Sequence, residues 1–557
     1  ERYFSRNPDY WPIFRDPGLS HILHYTKEPR TNLEQLENYP DQEKLLDRIN
    51  TDSDIPESCR FPDSKSIDPL LLFAGSLSKQ WNNPASVENV VTMPSDPALY
   101  GSMLAMLVNP NLVCSEYSIM ANKLEKLVIR RIAKLAGYDP DCAGGLFTQG
   151  GTFCNLYGYL FGLRKVIPES ESLGFDSINN YRFICSQGGH YSNYTTLSVM
   201  GANIAEKNIR IKLDSANRMD LADLEEQLSA CYLLGCKVPT IMLTMGTTDS
   251  FGIDRVKPVY DLVDRLHKKF YAKLPKLNAN SGSGEDRRLV KPHIHVDSAI
   301  GWAILFFLDY DFKNNPLFIN ARTLENLSQY VDLFKELKYA DSFSVDFHKW
   351  GYVPYTSSLV MVKDDSSFRA LEHDPEYYSY FDRSEMVHTH LQSTVEASRG
   401  GAGIFGAYSA LQYLGIEGFQ MLIAHTLQNS AYFRHEIENA PGAALLTQYN
   451  YGPSVTFRLF DPDRIPDAKK EWDFESNEYV RTMGQSRIKS NSDYHRSVFE
   501  RRGKQHLYTS WIEFAAHTKY DEEGKFIRVP GEKAVFFNPL TSYQDIDAFI
   551  RILHGNE

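Results

Sequence analysis

Apolar residues recur at helical spacing between Glu116 and Gly137. Ile119, Met120, Leu124, Leu127, Val128, Ile132 and Leu135 share one face, and Gly137 can cap the end. Beyond this helix, to about residue 405, short apolar runs alternate with helical patterns. The predicted strands are Phe183 to Cys185, Thr240 to Thr244, Ile294 to Val296, Phe343 to Val345 and Leu359 to Val362. Such alternation predicts an α/β fold with a mostly parallel sheet, in which ligands sit at the carboxyl ends of the strands.

The flanks read differently. Residues 1–90 are rich in Pro, Asp, Asn and aromatics with weak periodicity, and their exposed rings (Tyr3, Phe4, Tyr10, Trp11, Phe14) call for a surface to pack on, such as a second subunit. Asn278 to Arg288 is a polar, Gly/Ser-rich stretch expected to form a mobile surface loop. A helix over Ala407 to Leu414 leads into a last unit, which mixes strands (Ser454 to Leu459) with a very polar stretch, Asp461 to Lys504. The expected organisation is an N-terminal segment 1–90, a large domain 91–405 and a small domain 406–557.

Charge narrows the partners. A net charge of -12 argues against a nucleic-acid or anionic-membrane surface, while leaving room for a local phosphate pocket. Seven scattered cysteines form no CxxC pair, so reduced thiols in a cytoplasmic protein are expected instead of a disulfide framework or a zinc site. The longest apolar run, Ala299 to Leu308, is too short to span a bilayer. No signal peptide is visible, although the chain begins at Glu1 without Met, which leaves its true N-terminus open.

Five segments carry candidate chemistry. Thr148-Gln149-Gly150-Gly151-Thr152, followed by Asn155, is a glycine-rich turn opening a helix, which aims backbone N–H groups at an anion. It is not GxGxxG, and taken alone it is an ordinary helix cap. Gly189-His190-Tyr191-Ser192 follows a strand and offers an imidazole for stacking on a planar ring. His295-Val296-Asp297-Ser298-Ala299 puts Asp297 at a strand end, where an anion can keep a pyridine nitrogen protonated. His293 and His295 on one strand face are expected to be structural, since no third metal ligand is evident. Gly246-Thr247-Thr248 ends another strand with hydroxyls for ring substituents. Asp346-Phe347-His348-Lys349-Trp350-Gly351 ends a strand on a lysine, which a crevice can hold neutral for attack on a carbonyl.

Together these segments resemble the pyridoxal phosphate (PLP)-dependent group II amino acid decarboxylases of fold type I. The likeness covers most of residues 90–405 and includes Gln149 to Asn155, His190 to Ser192, His295 to Ala299, Asp346 to Tyr352 and Glu396-x-Ser398-Arg399-x-Gly401-x-Gly403. Within the family, Gly351 to Tyr355 and Leu107 to Asn111 look most like bacterial tyrosine decarboxylases. The chain departs from the family pattern at Gln149, at Phe153 where Glu is usual, and at Thr195 and Thr196 where a basic residue is common.

The resemblance implies a seven-stranded, mostly parallel large domain, a smaller α+β C-terminal domain and a homodimer clasped by the N-terminal segment. It implies that Lys349 holds PLP as a Schiff base, His190 stacks on the ring, Asp297 pairs with the ring nitrogen and Ala299 packs on the opposite face. Gly151, Thr152 and His348 hold the phosphate, and Thr247 and Thr248 lie near the phenolic oxygen. It also implies a mobile-loop tyrosine, with Tyr378 or Tyr380 as the candidate, that helps protonate Cα to give the amine. The expected reaction is decarboxylation of an L-amino acid, tyrosine-like, to amine and CO2. The alternatives are an acidic substrate (glutamate, aspartate or cysteine sulfinate) or a carbon–carbon lyase of the sphingosine-phosphate type. A silent homologue that keeps the fold without the chemistry is the non-enzymatic reading, and the intact Asp297 and Lys349 argue against it.

Overall fold

In the computed structural model the described residues are 42–51, 81–174, 180–271, 289–378, 390–447, 451–476, 482–503, 506–513 and 529–553, with a few positions between them. Most of the N-terminal segment 1–90, the polar loop 278–288 and Tyr380 lie outside them.

Seven strands form the large sheet: β1 (Gly144–Thr148), β2 (Phe183–Ser186), β3 (Asn208–Ile211), β4 (Thr240–Thr244), β5 (His293–Asp297), β6 (Ser342–Asp346) and β7 (Ser358–Val362). Their order is β1-β7-β6-β5-β4-β2-β3. Only β7 runs against its neighbours β1 and β6; the remaining pairs are parallel. The carboxyl ends of β1, β2, β4, β5 and β6 therefore share one edge, marked by Thr148, Ser186, Thr244, Asp297 and Asp346.

The five predicted strands are all present. The pattern does not predict β1 and β3, because Gly144-Gly145 opens the first and the second is a polar edge strand with an exposed Arg210. The amphipathic helix spans Ser115–Ala136 and ends at Gly137, whose φ of 77° is the left-handed cap its sequence predicts.

The two faces of the sheet are covered differently. Ile241, Leu243, Ile294, Val296, Phe343 and Val345 point into the main apolar core. The opposite face carries His293, His295, Ser342 and Thr240 beneath the helix Gly151–Val166. Glycines let that helix approach: a Cβ at Gly158 would lie 2.4 Å from the His295 ring.

The helix Ala402–Asn439, kinked at Gly415, leads to a four-stranded antiparallel sheet of order β10-β13-β9-β8. Its strands are β8 (Ala443–Leu445), β9 (Ser454–Leu459), β10 (Ser510–Ile512) and β13 (Gly531–Val535); β11 (Lys519–Tyr520) and β12 (Phe526–Ile527) pair separately. The polar stretch after Asp461 holds two helices, Ala468–Glu475 and Thr482–Arg502. Most of their charges face outward, but several polar groups turn into the small-domain core: Arg458 of β9 pairs with Glu475, while Glu532 of β13 meets Arg502 and His495, all fully or nearly fully buried. Paired ions replace apolar residues in this core, so the hydrophobic period that signals a helix is missing.

Candidate active site

A cavity of about 960 Å³ opens along the shared strand edge. Gly151, Thr152, His190, Thr247, Thr248, Asp297, Ala299 and Lys349 all line it. Eight residues from five separate segments thus meet at one place. His348 lies just behind the wall, buried, with its ring 3.9 Å from the ring of Tyr355, which does line the cavity. Tyr378 ends a short 3-10 turn, Pro375–Tyr378.

The glycine-rich turn runs from β1 into the helix Gly151–Val166. Gly150 has φ 107°, a conformation that favours glycine, and a Cβ there would meet nothing within 4 Å. The first amides of the helix have no intrahelical acceptor, and Gly151 and Thr152, which carry two of them, line the cavity.

Asp297 ends β5 and is held from three sides. The Asn155 side-chain amide donates to its Oδ2 at 2.9 Å, and Ser344 Oγ and the Ala299 amide donate to Oδ1 at 3.2 Å. Asn155 Nδ2 also donates to Ser192 Oγ at 2.9 Å, which fixes the amide orientation. Its Oδ1 then accepts from His295 Nε2, at 3.3 Å. His295 Nδ1 must therefore accept from Ser342 Oγ (2.7 Å), whose oxygen in turn accepts from His293 Nε2 (2.6 Å). Burial lowers the pKa of both imidazoles, that of His293 to about 4, so they are neutral links in this chain. The His293/His295 pair is structural, bracing the carboxylate from below.

Lys349 follows β6. Its Nζ lies 2.9 Å from Asp346 Oδ2, and Asp346 also accepts from Ser358 Oγ and sits 3.7 Å from His348 Nε2. Burial works to lower the lysine pKa, but Asp346 and then Asp297 outweigh it and raise it above the usual value. This corrects the expectation of a neutral lysine: in this arrangement Lys349 is an ammonium ion. Burial likewise works to raise the Asp346 pKa, and Lys349 more than compensates, holding it below the usual carboxylate range.

His190 is half-buried. Its Nδ1 accepts from the Ser192 amide at 3.2 Å, leaving Nε2 to carry the hydrogen. Burial holds its pKa below the ordinary imidazole value. Thr247 directs its hydroxyl into its own turn, with Ser250 Oγ at 2.8 Å and the Gly252 amide at 2.7 Å. Thr248 is anchored through its carbonyl to Ser454 Oγ of β9, at 2.8 Å. Arg399 pairs through both terminal nitrogens with Glu125, which also accepts from the Phe147 amide of β1. The Glu396-to-Gly403 motif therefore braces the strand that leads into the phosphate-type turn.

Asn155 and Asp346 were visible in the motifs but stood in no assigned role. Thr244 carried no signal: the residue borders the cavity, and its fully buried Oγ1 has no hydrogen-bond partner among the described residues. Lys533 of β13 also lines the cavity and pairs with Asp249 at 2.7 Å.

A family model described as "Pyridoxal-dependent decarboxylase conserved domain" matches residues 74–460. An aspartate 1-decarboxylase of Aliivibrio fischeri is 25% identical over 463 residues, covering 77% of this chain and 75% of that protein. An L-2,4-diaminobutyrate decarboxylase of Acinetobacter baumannii is 21% identical, covering 65% of this chain and 64% of that one. An L-tyrosine decarboxylase of Enterococcus faecium is 23% identical, covering 61% and 62%. The chain thus spans three quarters of the first relative and less than two thirds of the other two. Among solved structures, mouse CSAD shares the fold at a TM-score of 0.68 and 16% identity, covering 98% of this chain and 97% of that one.

The residues present fit PLP. The cavity offers the start of a helix for a phosphate, a braced carboxylate for a ring nitrogen, an imidazole and a methyl group for the ring faces, and a lysine.

Proposed function

The chain belongs to the pyridoxal-dependent decarboxylase family, and from that premise we propose that it removes the α-carboxyl group of an L-amino acid with an acidic side chain, releasing CO2 and the corresponding amine. The observation that carries the reaction is the convergence of Lys349 and Asp297, from neighbouring parallel strands, on one cavity.

When bound, PLP supplies an electron sink for the pair left by the departing carboxylate. The protein supplies the rest. Lys349 Nζ would be the amine that holds the cofactor. Asp297, oriented by Asn155, Ser344 and the Ala299 amide, would hold a proton on the ring nitrogen. The amides of Gly151 and Thr152, with His348 behind them, would hold the phosphate. His190 and Ala299 would contact the ring, and Thr247 and Thr248 would lie towards its phenolic oxygen. Tyr378 or Tyr380 would supply the proton that Cα takes up.

Two things support an acidic substrate over a tyrosine-like one. Arg210, Lys212 and Lys533 line the cavity, and its apolar wall is limited to a few side chains such as Val90, Val91 and Leu213. An aromatic side chain needs far more apolar wall than this to offset its desolvation. The aspartate decarboxylase is also the relative matched over the longest stretch of the three described above. An aromatic substrate is the second reading, favoured by the rings of Tyr191 and Tyr355 at the cavity.

The active form is a homodimer. Leu104, Met106, Leu107 and Val108 on one helix, with Met120 on the next, stand exposed, Leu107 by 82%. A second copy of the chain covers this apolar strip, as soluble proteins rarely leave one open. No helix among the described residues is long and apolar enough to cross a membrane.

The test is CO2 release and amine formation by purified protein with added PLP. The panel is L-aspartate, L-glutamate, cysteine sulfinate, L-2,4-diaminobutyrate, L-tyrosine and L-tryptophan. Turnover of an acidic member is expected; turnover of tyrosine alone establishes the second reading, and silence across the panel in PLP-loaded protein removes both.

A further inference from the structure

The Lys349 ammonium poses a problem for cofactor capture. A protonated amine has no lone pair with which to attack an aldehyde. The nearest base is Asp346, 2.9 Å from Nζ and almost completely buried. The same carboxylate lies against the phosphate-type turn: a Cβ on Gly151 would be 2.8 Å from Asp346 Oδ2 and 3.0 Å from Oδ1. Asp346 thus touches both the residue that must lose a proton and the place where a phosphate must settle.

We propose that Asp346 is the proton acceptor for Lys349 during cofactor loading, and that the same transfer removes the negative charge that would oppose the phosphate. The inference rests on the reading of this cavity as a PLP site. The balance is simple. The ammonium of Lys349 gives one proton to the Asp346 carboxylate. The freed amine attacks the aldehyde carbon, a carbon–nitrogen double bond replaces the carbonyl, and the aldehyde oxygen leaves as water with the two remaining amine hydrogens. Asp346 ends as a neutral acid beside the phosphate.

The surroundings agree with this role. Ser358 Oγ donates to Asp346 Oδ1, leaving Oδ2 directed at Lys349. His348 on the same turn is held neutral by burial, Cys154 on the facing helix has its thiol pKa pushed up, and Asp297 is the other carboxylate acting on Lys349. No other carboxylate is placed within ion-pair distance of Nζ among the described residues. At rest the proton belongs to Lys349. An incoming phosphate dianion raises the proton affinity of the adjoining carboxylate and drives the transfer.

The experiment uses purified cofactor-free protein mixed with PLP. Covalent loading is followed by the visible absorbance of the lysine-bound cofactor and by borohydride trapping at Lys349 with mass analysis. Asp346→Asn should slow loading about a hundredfold near neutral pH, the lower range for a lost general base. Its rate should recover about tenfold per pH unit toward alkaline pH, as bulk ionisation of the lysine takes over. Inorganic phosphate, titrated by calorimetry, should bind the variant more tightly than wild type, because a like charge is gone; this readout also reports an intact site. Asp346→Ser is the second variant should the first fold poorly. Wild-type loading matched by variants with the same rate and pH dependence overturns this inference alone. Wild-type protein that takes up no PLP overturns the reading of the cavity and this inference with it.

Discussion

The Asn155 side-chain amide reaches Asp297 Oδ2 at 2.9 Å across 142 positions of sequence. It ties the helix after the glycine-rich turn to the end of β5, and through His295 it anchors a chain of neutral hydrogen bonds that ends at His293. The orientation of the Asp297 carboxylate is therefore fixed by a side chain carried on the helix that opens at the glycine-rich turn.

Replacing that amide tests the relationship directly. Asn155→Leu should leave a buried Asp297 oxygen without its donor, costing about 1–3 kcal/mol. Equilibrium urea denaturation of cofactor-free protein measures the cost, and weaker PLP retention on dialysis should accompany it. Unchanged values in both would mean that Asn155 is a bystander.

Removing Lys349 has a pH signature besides the loss of turnover. In the intact protein the folded Asp346 pKa is depressed, so its contribution is present above the unfolded carboxylate value and is lost as pH falls through the folded one. In Lys349→Ala the same carboxylate is buried without its ammonium, its folded pKa rises, and stability falls as pH climbs from the unfolded value through the raised one. The gap between wild type and variant should widen from about pH 4 toward neutrality, approaching about 3–5 kcal/mol. Urea midpoints at several pH values measure it; a gap independent of pH would dismiss the ion pair as its source.

Arg399 and Glu125 form a buried two-pronged pair beside β1. Burial acts to raise the Glu125 pKa and Arg399 overcomes it, lowering it below the usual range. Arg399→Ala strands that carboxylate and should cost about 3–5 kcal/mol. Arg399→Met with Glu125→Leu together should recover much of the loss, as a double-mutant cycle in chemical denaturation would reveal.

Gly158→Ala places a methyl group 2.4 Å from the His295 ring. The helix must lift or the ring must turn, at about 1–3 kcal/mol for overpacking. A thermal scan that shows no loss would mean the helix has slack at this point.

If Tyr378 or Tyr380 supplies the Cα proton, its change to Phe should lower kcat by about 10²-fold or more. Tyr378→Phe and Tyr380→Phe, compared at saturating substrate, separate them; equal and small effects on both would assign that proton to another group.

The sequence by itself determined the chemistry. Each motif is a strand end or a helix start, and such places are encoded by a few adjacent residues: the Gly150 turn, the Asp297 strand end and the Lys349 strand end were legible because the backbone positions their side chains locally. The alternating pattern that predicted five strands of the large sheet works for the same reason, since a strand buried on both faces is a continuous apolar run. What only the tertiary structure decided lies between segments. The protonation of Lys349 depends on how closely Asp346 approaches it, and the Asp297 carboxylate is held in place by a residue from a distant helix. The small domain buries Arg458 against Glu475 and Arg502 against Glu532, residues that local sequence reads as solvent-facing. Strand β3 escaped because it is polar and lies on the edge of the sheet. Coulombic and hydrogen-bond partners are chosen across space, so a one-dimensional pattern carries their identities without their distances.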